Sequence, residues 1–418
     1  MRVPLSSASH NNTSVADPSG GGLASGRFRA EVQLVLRCAR PVLDHETRTA
    51  VRALVQGPLD WVDVAELAEH HRILPLLWRH LEADFADFLP APVRQRLGQN
   101  LRGKVAQSFL LAAELRRILQ HFAAEGIASL AYKGPAMAQQ VYRDIALRTF
   151  GDLDVVVRKS DLGRAQKALA ALGYHPALTL TPAQEAAVLH GECDRAWINR
   201  RSGARVELHW AIAAPNMSLP MSTDALLGRA QITMLLGQPV ATPAREDLLL
   251  LLAVNGGKDL WQRIEPACLI SVICADGAGL DWDGVLARAR QLRAERLLRL
   301  ALTLAGNWLG AQLPPSVRDW RDRDRAVAPL VQQAGARWAA RPARAPSVGE
   351  TMSFRIRSRE HWADGLRHCA LRAALPTARD CGQLPLPAAL WPAAGLIRPW
   401  RLLRAALDAA RRNKGSPG

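Results

Sequence analysis

The chain has 418 residues, a formal net charge of +16 and a hydrophobic fraction of 49%. This hydrophobic fraction excludes an intrinsically disordered chain, and the length allows two or three domains. No apolar run approaches the ~20 residues that a membrane-spanning helix needs, so the sequence predicts no transmembrane segment.

The positive charge comes almost entirely from arginine, because the chain contains 48 arginines and only six lysines. This skew, together with abundant Ala, Leu and Pro, is typical of a GC-rich genome and does not by itself indicate binding to nucleic acid. The excess is concentrated from residue 341 onward, where 14 Lys and Arg stand against five Asp and Glu. We therefore expect a solvated basic face, with nucleic acid as a disfavoured partner.

The first 26 residues are rich in Ser, Gly, Asn and Pro and lack the apolar core of a secretory signal. We predict that residues 1–26 form a disordered tail and that the protein is cytoplasmic. The six cysteines show no CxxC spacing, which favours reduced, buried thiols over a disulfide framework.

Apolar residues with helical spacing follow the tail and predict a helical N-terminal region over 27–104. One such helix begins near residue 61 and should be interrupted at Pro75. A further periodic stretch continues to Gly126, where a glycine typical of a helix C-terminus is followed at once by an apolar strand.

Residues 105–215 predict a small α/β core. An apolar strand over 127–132 ends at Lys133-Gly134 and a short helix follows; a second strand over 153–157 is preceded by Gly151. A helix then runs from Ser160 to Gly173, and two candidate strands lie within residues 193–213.

Helical patterns return after the core, with predicted helices over 246–255, 261–273 and 282–309. We therefore predict a helical domain over 216–325 and a basic helical C-terminal region, broken by prolines, over 326–418. The fold class is α+β: a small mixed β-sheet flanked by helical N-terminal and C-terminal regions.

Acidic residues lie in or next to two of the strands predicted for the α/β core. Asp152 and Asp154 are two positions apart, so in an extended chain their side chains leave the same face. Adjacent carboxylates repel each other and are stabilised by a divalent cation. Glu207 lies on the polar face of another strand together with His209, and it is the best candidate for a third carboxylate. Such a set is suited to phosphoryl or nucleotidyl transfer.

These motifs resemble the DNA polymerase β-type nucleotidyltransferase superfamily, and more closely its bacterial family of uncharacterised nucleotidyltransferases. The resemblance covers roughly residues 105–405. It rests on the turn Lys133-Gly134, on Arg148, and on three further motifs: Gly151-Asp152-Leu153-Asp154, Gly173-Tyr174 and Glu207-Leu208-His209-Trp210.

The resemblance implies a nucleotidyltransferase that uses Mg²⁺ or Mn²⁺ and moves a nucleoside monophosphate from a nucleotide triphosphate to an unidentified acceptor. Metal binding and catalysis would fall to three carboxylates: Asp152, Asp154 and Glu207. Nucleotide contacts would fall to four residues of the two turns: Lys133, Gly134, Arg148 and Gly151.

The sequence departs from the wider superfamily at Lys133-Gly134, where Gly-Ser is usual and its hydroxyl contacts a phosphate. Asn255 and Asp259 likewise stand where relatives often carry histidine. An ordinary ion pair is an alternative role for Arg148, and packing is an alternative role for His209.

Two other classes of function remain open. One is a nucleotide-binding protein of the same fold without catalytic activity. The other is binding of nucleic acid or a weak peripheral contact with an anionic membrane surface through the basic segment 390–412.

Overall fold

A computed structural model describes residues 28–404 apart from short gaps at 218, 276–278, 341–345, 383–385, 388–389, 392–393 and 402–403. The predicted disordered tail lies outside the described residues, as do residues 405–412 of the predicted basic segment. Within the described part of the chain, no helix is long and apolar enough to cross a membrane.

The N-terminal part of the described chain is helical, as the apolar spacing predicts. Its helices are α1 Ala30–Cys38, α2 His45–Gln56, α3 Trp61–His70, α4 Leu74–Asp84 and α5 Ala91–Ala124. The interruption expected at Pro75 lies just before it, because proline occupies the first turn of α4, where its missing N–H costs nothing. Helix α5 runs without a break through residues 104 and 105, so the predicted boundary between two domains falls inside a continuous helix.

The centre of the fold is a five-stranded mixed sheet. Its strands are β1 Ser129–Ala131, β2 Leu153–Val157, β3 Tyr174–Pro176, β4 Asp194–Asn199 and β5 Arg205–His209. Their spatial order is β1-β2-β5-β4-β3, and only the central β2–β5 pair is parallel. Three helices connect the strands: α6 Gly134–Tyr142, α7 Leu162–Ala171 and α8 Pro182–Gly191. The small mixed sheet with helical flanks confirms the predicted α+β class.

All five residues of β2 are buried, because the sheet is covered on both faces. Leu153, Val155 and Val157 pack into an apolar cluster with α5 and α7 on one face. Val156 packs on the other face with Leu251, which belongs to a helix beyond the sheet. Asp154 shares this second face by strand alternation, so its carboxylate points between the sheet and that helix.

The chain continues with one further helix, a hairpin and then helices. These elements are α9 Thr223–Gly228, β6 Gln231–Leu235, β7 Gln238–Thr242, α10 Arg245–Lys258, α11 Glu265–Ala275, α12 Trp282–Gln291, α13 Glu295–Leu309, α14 Pro315–Asp322, α15 Val327–Ala339, α16 Val348–Arg357, α17 Trp362–Ala374 and α18 Ala378–Cys381. The single helix predicted over 282–309 is two helices, which separate where Arg293 adopts a left-handed conformation (φ 51°).

The N-terminal helices and the helices after the sheet share one apolar core, although they are far apart in sequence. Leu34 and Leu77 from the N-terminal part belong to the same buried cluster as Leu249 and Leu300. The chain therefore builds one helical body from two segments, and α10 of this body covers the face of the sheet that carries Asp154.

Candidate active site

The pairing of β2 with β5 brings two of the predicted carboxylates together. The strands run parallel, and Asp154 lies directly opposite Glu207 in their register. Side chains of directly paired residues share a face, so both carboxylates leave the sheet on the same side. Asp154 is buried, with 3% of its surface exposed, whereas Glu207 is half-buried and reachable from solvent.

His209 joins these two carboxylates because it lies two positions after Glu207 on the same face of β5. Its Nε2 lies 3.1 Å from Oδ1 of Asp154 and 4.0 Å from Oε2 of Glu207. One ligand atom from each of the three residues lies within 4.8 Å of the others. The sequence left packing open as an alternative role for His209, and the structure shows that His209 contacts Asp154 directly.

Asp152 stands one position before β2 and lies outside this group of three. It is half-buried, and its negative charge is close enough to raise the pKa of Glu207. The adjacent Gly151 is exposed, and a side chain at this position would meet no atom within 4 Å. Packing within the protein thus does not require glycine at position 151, and the nucleotide contact of Gly151 stays a prediction.

Lys133 lies at the end of β1 and supplies the positive charge closest to the carboxylates. Its Nζ is 3.5 Å from Oδ1 of Asp154 and 4.6 Å from the ring centre of Tyr132. Burial disfavours the ammonium form, but Tyr132 and the carboxylates of Asp154 and Glu207 outweigh burial and raise the pKa of Lys133. Lys133 is therefore a permanent cation at the site.

The turn after Lys133 requires glycine for its backbone conformation. Gly134 has φ +61°, a left-handed conformation that residues with a Cβ rarely adopt. A Cβ at this position would lie 3.4 Å from the carbonyl oxygen of Asp152, so the turn packs closely against the start of β2. Gly134 also begins α6, which has no side-chain cap at its N-terminus. The N-terminus of α6, where Pro135 provides no N–H, thus lies next to the start of β2.

Arg148 is buried and forms an ion pair, with its Nε 2.6 Å from Oε1 of Glu265 on α11. Its Nη1 donates to the carbonyl oxygen of Gly134 at 3.3 Å. The guanidinium therefore ties the glycine turn to the helical body. This geometry matches the alternative role for Arg148, an ion pair that supports the fold.

The electrostatics of the carboxylates favour a bound cation. Burial alone would raise the pKa of Asp154, but Lys133 and then His209 hold it well below its usual value. Burial raises the pKa of Glu207, and the charges of Asp154, Asp194 and Asp152 raise it further. Asp154 and Glu207 form a pair of oxygen donors that fits a divalent cation such as Mg²⁺, and Asp152 and Asp194 add negative charge nearby.

A cavity of about 300 Å³ opens beside Lys133, between the end of β1 and the helical body. Its charged lining side chains are mostly basic: Arg72, Lys133, Arg148, Lys258, Arg263, Asp259 and Glu265. A second cavity of about 530 Å³ adjoins the first and shares His70 and Gln262 with it. The site therefore continues from the carboxylates into a largely cationic groove.

The contacts of several residues near the carboxylates could not be found from the sequence alone. Asn255 on α10 donates to the hydroxyl of Tyr132, and Asp259 is close enough to raise the pKa of Lys133. Cys193 and Asp194 also have ligand atoms within 4.8 Å of one another and of a ring nitrogen of His209. Asp194 is paired with His209 across β4 and β5, and this register is not readable from either strand by itself.

Comparison with known families gives one match. Residues 57–310 match the family described as "Uncharacterised nucleotidyltransferase", which covers more than half of the chain. No curated protein and no solved structure matches the chain. The matched range includes the sheet, the Lys133-Gly134 turn and the helices of the groove up to α13.

Proposed function

We propose, because the chain belongs to the family of uncharacterised nucleotidyltransferases, that it transfers a nucleoside monophosphate from a nucleoside triphosphate to an acceptor hydroxyl or phosphate. The observation that carries the proposal is the parallel register of β2 and β5, which places Asp154 opposite Glu207 beside Lys133. Carboxylates on neighbouring strands, next to a cationic turn, are what this transfer requires.

Asp152, Asp154 and Glu207 would hold Mg²⁺, or Mn²⁺ in its place. The bound cation would neutralise the negative charge that develops on the phosphate oxygens. The low pKa of Asp154 keeps its carboxylate ionised, and the pair with Lys133 and His209 fixes its position. Glu207 is the more exposed carboxylate, so it is better placed to meet an incoming acceptor.

The transfer itself exchanges one bond to phosphorus for another. The acceptor oxygen loses its proton to the carboxylate of Glu207 and forms a bond to the α-phosphorus. The bond from the α-phosphorus to the bridging oxygen of the β-phosphate breaks, and pyrophosphate leaves with that electron pair. Lys133 would pair with the oxygens of the departing phosphates, and its ammonium lies 3.5 Å from Oδ1 of Asp154, which supports this role.

The triphosphate has a favourable binding surface between the acidic residues and the cavity. The N-terminus of α6 is not capped by a side chain, and its helix dipole favours phosphate although Pro135 provides no N–H. The excess of basic side chains in the adjoining cavity favours polyphosphate as well. Arg148 contributes by holding the glycine turn through the Gly134 carbonyl, with its charge paired to Glu265.

Calorimetric titration of the full chain with ATP, GTP, CTP and UTP, each with and without Mg²⁺, tests the binding step. We expect at least one nucleotide to bind in a Mg²⁺-dependent manner. Asp154→Asn should weaken this binding by about tenfold or more. Asp161→Asn is the matched control, because Asp161 pairs with Arg164 in the same sheet domain but away from the site. Folded wild-type protein that binds none of the four nucleotides would overturn the proposal.

The class of transfer is tested with labelled nucleotide. Wild-type protein, the bound nucleotide and a cell extract as acceptor source should give incorporation of label from the α-phosphate and none from the γ-phosphate. Asp154→Asn should abolish incorporation, and Asp161→Asn should retain it. Incorporation from the γ-phosphate would indicate phosphoryl transfer and contradict nucleotidyl transfer.

A further inference from the structure

We propose that Cys193, Asp194 and His209 form a binding site for a transition-metal ion of the Zn²⁺ type, separate from the Mg²⁺ site. A thiol, a carboxylate and an imidazole are the donor types that bind Zn²⁺, and their ligand atoms lie within 4.8 Å of one another. Three protein ligands leave a fourth position for water in a tetrahedral site. This inference does not depend on the proposed nucleotidyl transfer.

The backbone brings Cys193 and Asp194 to the same place although they are neighbours in sequence. Asp194 is paired with His209 across β4 and β5. Cys193 precedes β4, and its carbonyl oxygen accepts from both Trp210 and Ala211, at 2.9 Å and 3.3 Å. Two amides on one carbonyl interrupt the regular ladder as a bulge does, and this allows consecutive side chains to converge. The Sγ of Cys193 accordingly lies 3.2 Å from Oδ1 of Asp194.

His209 has one ring nitrogen in use and one without a partner. Its Nε2 lies 3.1 Å from Oδ1 of Asp154, whereas its Nδ1 is buried without a hydrogen-bond partner among the described residues. The residue is only 5% exposed, so solvent does not satisfy Nδ1 easily. Histidines that bind a metal through one nitrogen usually donate the other N–H to a carboxylate, and Asp154 is that carboxylate here.

The donor types separate this site from the one proposed for Mg²⁺. Mg²⁺ prefers oxygen ligands and would be held by Asp152, Asp154 and Glu207, while the thiol of Cys193 selects a softer ion. Binding replaces the S–H bond of Cys193 by a sulfur–metal bond, and the proton leaves to solvent. Asp194 is half-buried, so an ion can reach the site from its side. His209 would then carry its proton on Nε2 and donate to Asp154, which positions that carboxylate.

Titration with Co²⁺ in the absence of nucleotide tests the site, because a thiolate bound to Co²⁺ gives a charge-transfer absorption in the near ultraviolet. Full-length protein, stripped of metal with a chelator, should develop this absorption with one equivalent of Co²⁺. Zn²⁺ should abolish the absorption, whereas excess Mg²⁺ should not. Wild-type protein that shows no such absorption would overturn the proposal, whatever the outcome of the nucleotide titrations.

Variants assign the absorption to the three residues. Cys193→Ser should lose it, and the matched control Cys274→Ser should keep it, because Cys274 is a buried thiol of α11. Asp194→Asn should weaken Co²⁺ binding by about tenfold or more. We expect the fold to tolerate this substitution, because Asp194 is only half-buried. Absorption that persists in Cys193→Ser, or Co²⁺ affinity that is unchanged in Asp194→Asn, would contradict the site.

Discussion

Replacing Arg148 with methionine separates the two roles considered for this residue, support of the fold and contact with phosphate. The structure pairs Arg148 with Glu265, and both side chains are about 95% buried. Removing one partner of a buried ion pair leaves the other charge desolvated and costs about 3–5 kcal/mol. Glu265 keeps a second cation, because Arg72 lies 3.8 Å away. We therefore expect Arg148→Met to lower the free energy of unfolding by about 3 kcal/mol, the lower end of this range.

Urea denaturation followed by circular dichroism measures this loss, and a double mutant identifies its cause. Glu265→Gln removes the buried charge that loses its closer partner in Arg148→Met, so the double variant should be more stable than the sum of the single variants predicts. Mg²⁺-dependent nucleotide affinity should fall less in Arg148→Met than in Lys133→Met. A loss of stability below about 1 kcal/mol in Arg148→Met, combined with a larger loss of affinity than in Lys133→Met, would refute the ion-pair role and favour phosphate contact.

Two further predictions concern stability. Burial, and then the neighbouring His70, lower the pKa of His71 to about 3, so below pH 6.5 the unfolded chain takes up a proton that the folded chain does not. The contribution of His71 to the free energy of unfolding is complete above pH 6.5 and is lost as the pH falls. Urea denaturation at pH 7 and pH 5 should therefore show that the free energy of unfolding falls by about 2 kcal/mol more in wild type than in His71→Gln. Equal losses in both proteins would contradict this assignment. Gly134→Ala should destabilise the protein by about 1 kcal/mol and weaken nucleotide binding, since Gly134 has φ +61°. Gly163→Ala, in an exposed turn of α7 with no atom within 4 Å of the new Cβ, should instead be neutral or stabilising by about 0.5–1 kcal/mol, and equal effects of the two substitutions would argue against the strained turn.

The elements of the sheet domain could be predicted because their signals are local. The apolar run after Asp152 predicted β2 with Asp154 in it, and a glycine between an apolar strand and a helix marked the Lys133-Gly134 turn. The shared face of Asp152 and Asp154 stays a prediction, because Asp152 precedes β2. The pairing of Asp154 with Glu207 could not be predicted from local signals, because the register of β2 and β5 is set by packing of both faces of the sheet. Glu207 was found by its polar face, whereas Asp194 was missed because the register of β4 and β5 places it beside His209.

The hairpin of β6 and β7 was missed within a range predicted as helical. Its turn places Leu236 and Gly237 in left-handed conformations (φ 48° and 77°), and a hairpin of two residues requires this at both positions. Leucine is a weak signal for such a conformation because its Cβ disfavours it. Leu235 and Val240 pack into the cluster that lies under the sheet, so tertiary contacts stabilise the turn.

Arg293 illustrates the same limit in the helical body. Neither glycine nor proline marks the end of α12, so the apolar pattern continues across the break and predicts one helix. Both α12 and α13 contact α10, and only the folded chain shows this constraint. Long-range packing likewise joins the N-terminal helices to those after the sheet.

The joining of these two helical segments determines the shape of the cavity beside Lys133. The sheet face with Asp154 is covered by α10 through Leu251, yet the same helix continues past Asn255 to line the cavity beside Lys133. The hydrogen bond from Asn255 to the hydroxyl of Tyr132 links this helix to the end of β1. Because Lys133 follows Tyr132 directly, a shift of α10 would move the cation that pairs with Asp154. The helical body therefore forms the wall of the groove and supports the charge at its end.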